Sequence, residues 1–148
     1  MEENNHTYVE VILVEDRPED ADLAMRELRK HNIVNNIKLL EDGQEALDYL
    51  LGEGKYAVDT PEPPKLVLLD LKLPKVNGLE VLARMKQEPN LRKIPVVVIT
   101  SSSEDVDVQK AYDLGVNSYI VKPVDFPKFA DAVREVGMYW LVLNKAPS

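Results

Sequence analysis

The chain contains no cysteine. That excludes a disulfide framework, a thiolate metal centre and a cysteine nucleophile together, and it fits a reducing compartment. An excess of positive charge is also lacking. Eighteen Lys and Arg stand against 26 Asp and Glu, a formal charge of −8. Nucleic-acid binders ordinarily carry a basic patch, and anionic bilayers attract basic segments, so neither partner is expected. Long apolar runs are missing too: Val96-Val97-Val98-Ile99 is typical of the longest, whereas a bilayer span needs about 20 residues. The start, Met1-Glu2-Glu3-Asn4-Asn5-His6, has neither the basic nor the apolar region of a signal peptide, which leaves the cytoplasm as the expected location. There is no internal repeat and no low-complexity tract.

What is present reads as an ordinary globular domain. With 148 residues, 45% of them hydrophobic and 30% charged, the chain is long enough to bury a core of its own. A short tail (1–8) should precede one domain (9–148), with no room for an output domain. Short β-branched runs alternate with helical patterns. Val9–Val14 is expected as a strand, followed by a helix from Pro18 with Glu19 and Asp20 in its first turn, where acids favour the helix dipole. Ala21, Ala24, Met25 and Leu28 form its apolar stripe, and Lys30 and His31 close it. Ile37–Leu40 is a second strand, Asp42-Gly43 a turn, and Ala46, Leu47, Leu50 and Leu51 mark a second helix. Residues Gly52–Pro64 read as a long surface loop. Leu66–Leu69 is a third strand ending at Asp70, and Gly78 opens a third helix with Leu79, Leu82 and Met85. Pro95–Ile99 ends at Thr100, Glu104–Leu114 is a helix closed by Gly115, and Tyr119–Val121 runs into Lys122-Pro123. A last helix spans about Asp125–Leu143. Strands apolar on both faces require cover on both sides, hence an α/β fold with a central parallel sheet between helix layers.

In an open parallel sheet, ligands bind beyond the C-terminal ends of the strands. Those ends carry Glu15-Asp16, Asp70, Thr100-Ser101 and Lys122. Three acids so close repel one another. A hard divalent cation resolves the repulsion, and Mg²⁺ favours a few carboxylates together with phosphate oxygens and water. A lysine holds one anionic oxygen as a point charge and a threonine hydroxyl donates to another. The set suits a phosphoryl group, and an aspartate can itself be the nucleophile that takes one. Each residue alone has a plainer explanation: solvated strand-end acids, a loop acid, Thr-Ser-Ser-Ser (100–103) capping the fourth helix, an exposed lysine. Their joint placement at four strand ends argues otherwise.

Four blocks carry a family resemblance: Val-Ile-Leu-Val-Glu-Asp (11–16), Leu-Val-Leu-Leu-Asp-Leu-Lys-Leu-Pro-Lys-Val-Asn-Gly (66–78), Ile-Pro-Val-Val-Val-Ile-Thr-Ser (94–101) and Gly-Val-Asn-Ser-Tyr-Ile-Val-Lys-Pro (115–123). In that order they resemble the receiver domain of two-component response regulators. The resemblance implies a flavodoxin-like five-stranded parallel sheet of order 2-1-3-4-5 with helices on both faces. It makes Asp70 the phosphoacceptor and Glu15, Asp16 and Asp70 the Mg²⁺ ligands, with the Lys72 backbone carbonyl joining them. Thr100 becomes the switch hydroxyl, Tyr119 the switch aromatic and Lys122 the phosphate-pairing lysine, and the Lys122–Pro123 peptide should be cis. Glu15 stands where Asp is common. The loop 52–64, Lys72-Leu73-Pro74-Lys75 and the pair Tyr139-Trp140 are similar to stand-alone regulators that partner bacterial phytochromes.

The implied partners are a sensor histidine kinase, with bacterial phytochromes as candidates, and a downstream protein target. Phe129, Val133, Val136 and Trp140 form the core stripe of the last helix; Met138, Leu141 and Val142 fall outside it. Two readings of these three stay open: they cover the helix end, or they serve a homodimer through Asp125–Leu143. Competing functions are weaker. An aspartyl-nucleophile phosphatase needs a second Asp two residues after the first, where Lys72 stands. A receiver-like module without phosphorylation would not need all five site residues. A dinucleotide-binding domain lacks its Gly-rich loop, since Glu-Asp-Arg-Pro (15–18) follows the first strand.

Overall fold

The computed structural model describes residues 11–30, 36–58, 62–129 and 131. The elements in chain order are β1 (Val11–Val14), α1 (Pro18–Lys30), β2 (Ile37–Leu40), α2 (Gly43–Leu51), β3 (Leu66–Leu69), α3 (Gly78–Gln87), β4 (Val96–Thr100), α4 (Asp105–Asp113) and β5 (Ser118–Val121). The strands form one five-stranded sheet of order β2-β1-β3-β4-β5, and every pairing is parallel. This is the flavodoxin-like arrangement the sequence resemblance implies.

Strand alternation sorts the core into two layers. Val11, Leu13, Leu66, Leu68, Val97 and Ile99 pack with Ala21, Ala24 and Leu28 of α1 and with Phe129. Ile12, Val14, Val67, Leu69, Val96 and Val98 face the other way, onto α2, α3 and Ala111 of α4. Burial on both faces explains why β1, β3 and β4 are unbroken apolar runs. Among the described residues no helix is long and apolar enough to cross a membrane.

Several expectations shift in detail. Met25 and Leu51 are only half-buried, whereas Tyr49 is buried. The loop 52–64 is not featureless: a 3₁₀ turn at Gly54–Tyr56 brings the Tyr56 ring edge-on to Tyr49 at 4.9 Å. Asp42 caps α2 rather than forming a turn, its carboxylate accepting from the Glu45 amide at 2.7 Å. Asn77 caps α3 in the same way at 3.0 Å. The serine run caps α4 only in part, because the N-cap residue is Glu104 and its side chain makes no capping bond. Gly115 does follow α4, in the left-handed region at φ 92°. The last helix begins within residues 126–129, where the Phe129 amide donates to the Asp125 carbonyl at 2.8 Å. Val9, His31, residue 130 and residues 132–143, with Val133, Val136, Met138, Tyr139, Trp140, Leu141 and Val142, lie outside the described residues. Most of the helix expected to serve a dimer falls there too.

Candidate functional site

In this strand order the connections leave β1 and β3 in opposite directions, which opens a crevice at their C-terminal ends. Glu15 and Asp16 follow β1, Asp70 follows β3, Thr100 ends β4 and Lys122 follows β5. Glu15, Asp70 and Thr100 are buried, and Asp16 is exposed.

Lys122 is the hub. Its ammonium donates to Glu15 Oε1 at 2.7 Å, Asp20 Oδ2 at 2.8 Å and Asp70 Oδ2 at 3.0 Å. An ammonium has three donors, and all three are used. An apolar cavity of about 170 Å³, walled in part by Leu13, Leu23, Ala24, Ile99 and Phe126, lies against Glu15, Asp20 and Lys122. Burial works against the Lys122 charge, but the bonds to Asp20, Glu15 and Asp70 outweigh it and raise its pKa. The neighbouring acid moves the other way from its preferred state. Burial drives the Glu15 pKa up from 4.5 to about 7, opposed by the Lys122 bond and reinforced by the charge of Asp70.

Asp70 is held at both carboxylate oxygens. Oδ2 meets Lys122, and Oδ1 accepts from the Lys72 amide at 3.0 Å. Its own amide donates to the Val14 carbonyl at 3.1 Å, which ties β3 to β1 at the site. The loop that follows is clasped from two sides. A Cβ at Gly78 would lie 2.3 Å from the Asp70 carbonyl oxygen, and one at Gly43 would lie 1.7 Å from that of Val76. Lys75 has φ 70°, and the Val76 amide donates to the Pro74 carbonyl at 2.8 Å. That is a γ-turn, a strained conformation.

Glu15, Asp16 and Asp70 each offer an oxygen within 4.8 Å of the others. A set of oxygen donors of this kind fits a hard divalent cation. Thr100 sits one strand further on, its hydroxyl oxygen accepting from the Ser102 amide at 3.4 Å. Ser102 donates its hydroxyl to Asp107, and the Tyr119 hydroxyl donates to the Ser102 carbonyl at 2.9 Å. Burial pushes the Tyr119 hydroxyl pKa up against that hydrogen bond, with Asp107, Asp70 and Glu104 adding to the rise. The Lys72 side chain points toward α4, 3.7 Å from Asp107.

Glu15, Asp16, Asp70 and Lys122 therefore converge, while Thr100 and Tyr119 belong to an adjoining Ser102–Asp107 network. The sequence does not mark Asp20 as a site residue, because its place in the first turn reads equally well as a dipole acid. The signal that finds it is geometric: helical side chains lean toward the N-terminus, so an acid four residues after Asp16 returns to the strand ends.

Fold and strand-end chemistry together define a receiver domain. The response regulator receiver domain family matches residues 11–134, and the chain belongs to it. It is a response regulator, similar to several named proteins over most of their length. The probable methanogenesis regulatory protein FilR2 of Methanothrix harundinacea is 45% identical over 138 residues, covering 93% of this chain and 86% of that one. Response regulator Rcp1 of Synechocystis is 39% identical, covering 93% and 92%. Its Mn²⁺-bound crystal structure superposes with a TM-score of 0.75 at 38% identity, covering 94% of this chain and 99% of Rcp1. The phosphorylated cyanobacterial phytochrome response regulator RcpA superposes with a TM-score of 0.77 at 38% identity, covering 96% and 100%.

Proposed function

We propose that this receiver takes a phosphoryl group onto Asp70 from the phosphohistidine of a sensor kinase and signals through phosphorylation-dependent protein contacts. The observation that carries the reading is the Asp70 carboxylate itself: buried, inside an acid triad, and held between the Lys122 ammonium and the Lys72 amide. A bacterial phytochrome is the candidate kinase, on the strength of the likeness to RcpA.

An Asp70 oxygen attacks phosphorus in line while the bond to the histidine nitrogen breaks, leaving an aspartyl phosphate and a free imidazole. Lys122 pairs with one phosphoryl oxygen and Thr100 with another, which spreads the negative charge over fixed donors. Glu15, Asp16 and Asp70, with the Lys72 carbonyl, would hold Mg²⁺, whose chemistry when bound is to neutralise charge on the phosphoryl oxygens. The phosphoryl group replaces the carboxylate's single negative charge with about −2 and adds new acceptors. Thr100 drawn toward it leaves space for the Tyr119 ring, and the face built from α4, β5 and the helix after it changes. Water attacking phosphorus later releases phosphate and restores the carboxylate.

The test is phosphate incorporation from acetyl phosphate with Mg²⁺. Wild type should label and Asp70→Asn should not. Equal labelling would sink the assignment. Phosphomonoester turnover should be absent from both.

A further inference from the structure

Three carboxylates share the three Lys122 donors, and two of them have other duties in the reading above. Asp70 becomes the acyl phosphate, and Glu15 belongs to the acid triad with Asp16 and Asp70. Asp20 is outside that triad, yet its 2.8 Å bond to Lys122 is as short as the Glu15 bond within 0.1 Å. It sits on a rigid element. Ala21, the next residue, is packed against the sheet with Ala24 and Leu28, and the Ala21 amide is already in helical pairing with the Arg17 carbonyl at 2.9 Å. The lysine it holds is 12% exposed, at the end of a flexible four-carbon stem.

We propose that Asp20 is a positioning residue that tethers the Lys122 ammonium over Asp70 throughout the phosphorylation cycle. The inference rests on Asp70 being the phosphoacceptor. With Asp70 phosphorylated, and Glu15 one of the acids that would hold a cation, two of the three anions that fix the ammonium have other partners. Asp20 does not. It keeps one N–H committed, so that the stem stays in place and the other two donors turn to the phosphoryl oxygens. Without it the ammonium is free to follow Glu15 or leave for water, and the charge it delivers to the incoming phosphoryl group is no longer preorganised. The plainer role, a helix-dipole acid, would act on α1 and not through Lys122.

A double-mutant cycle separates the two. Initial rates of phosphorylation by acetyl phosphate are measured at saturating Mg²⁺ for wild type, Asp20→Asn, Asp20→Glu, Lys122→Ala and the Asp20→Asn/Lys122→Ala pair. Asp20→Asn should lose about tenfold, the worth of a hydrogen bond between charged groups, and Asp20→Glu should recover most of it. On the Lys122→Ala background, Asp20→Asn should cost less than about twofold, the margin within which uncoupled changes add. A metal-free readout accompanies it: the ¹⁵N-NMR signal of the Lys122 ammonium should be sharp in wild type and broadened by solvent exchange in Asp20→Asn. Unchanged rates and spectra in Asp20→Asn, or losses that multiply in the pair, would overturn the tether. Wild type that labels no better than Asp70→Asn would instead overturn the phosphoacceptor reading.

Discussion

The centre of the sheet and its β5 edge are built to different standards. At the centre, β1, β3 and β4 are buried along their whole lengths, and α3 buries Gly78, Val81, Leu82 and Met85 beneath the loop that carries Asp70. At the edge, β5 is only half-buried, α4 buries a single residue, Ala111, and buried Thr100 at the end of β4 reaches toward that edge through a 3.4 Å bond from the Ser102 amide. The proposed phosphoacceptor, Asp70, thus stands on the over-determined side and the Thr100–Tyr119 network on the looser one. Segments with few buried apolar contacts open at lower free energy. A charge change at Asp70 therefore has a rigid place to act from and a softer place to act upon.

The largest test of this contrast is packing. Leu68→Ala in β3, fully buried, should cost about 2–5 kcal/mol in urea unfolding. Val121→Ala in β5, 39% exposed, should cost under about 1 kcal/mol. Equal losses would erase the distinction. A medium effect comes from Glu15. Its folded pKa of about 7 lies above its ordinary 4.5, so its ionisation opposes folding. The stability linked to its protonated form is complete below 4.5 and is lost as pH rises through about 7. Metal-free Glu15→Gln should therefore melt a few degrees above wild type at pH 8 and level with it at pH 4. A gain that persists at pH 4 would point to packing instead. The smallest effect belongs to the edge. Tyr119→Phe removes the 2.9 Å bond to Ser102 and should cost about 0.5–1.5 kcal/mol. Hydrogen exchange of α4 amides should quicken while those of β3 stay as they were.

How much of this the sequence discloses depends on whether a signal is local. The strands of a doubly covered sheet are continuous apolar runs, so β1, β3 and β4 stand out, and the residue that ends each is read directly. Glu15, Asp16, Asp70 and Thr100 follow from that alone; Lys122 follows the short, half-buried β5 and is read from the Tyr119–Val121 run before Lys122-Pro123. Asp20 does not, because a first-turn acid serves the dipole in any helix, and only the fold shows that Lys122 reaches it across 102 residues of chain. The Gly54–Tyr56 turn is hidden for a similar reason: its order comes from the Tyr56 ring meeting Tyr49, a contact between segments. Serines after Thr100 look like caps, and only geometry shows Ser102 serving Asp107 and Tyr119.

The close approaches at Gly43 and Gly78 bear on how such a site can be lost. Neither glycine carries chemistry, and neither has a conservative replacement, because every other amino acid brings the Cβ that the Val76 and Asp70 carbonyls leave no room for. A random change at either codon that alters the residue pushes on the loop next to Asp70 from outside the site. The proposed phosphoacceptor is thus vulnerable through two residues that a search confined to charged side chains would pass over, and a map of tolerated substitutions should show both as blanks beside it.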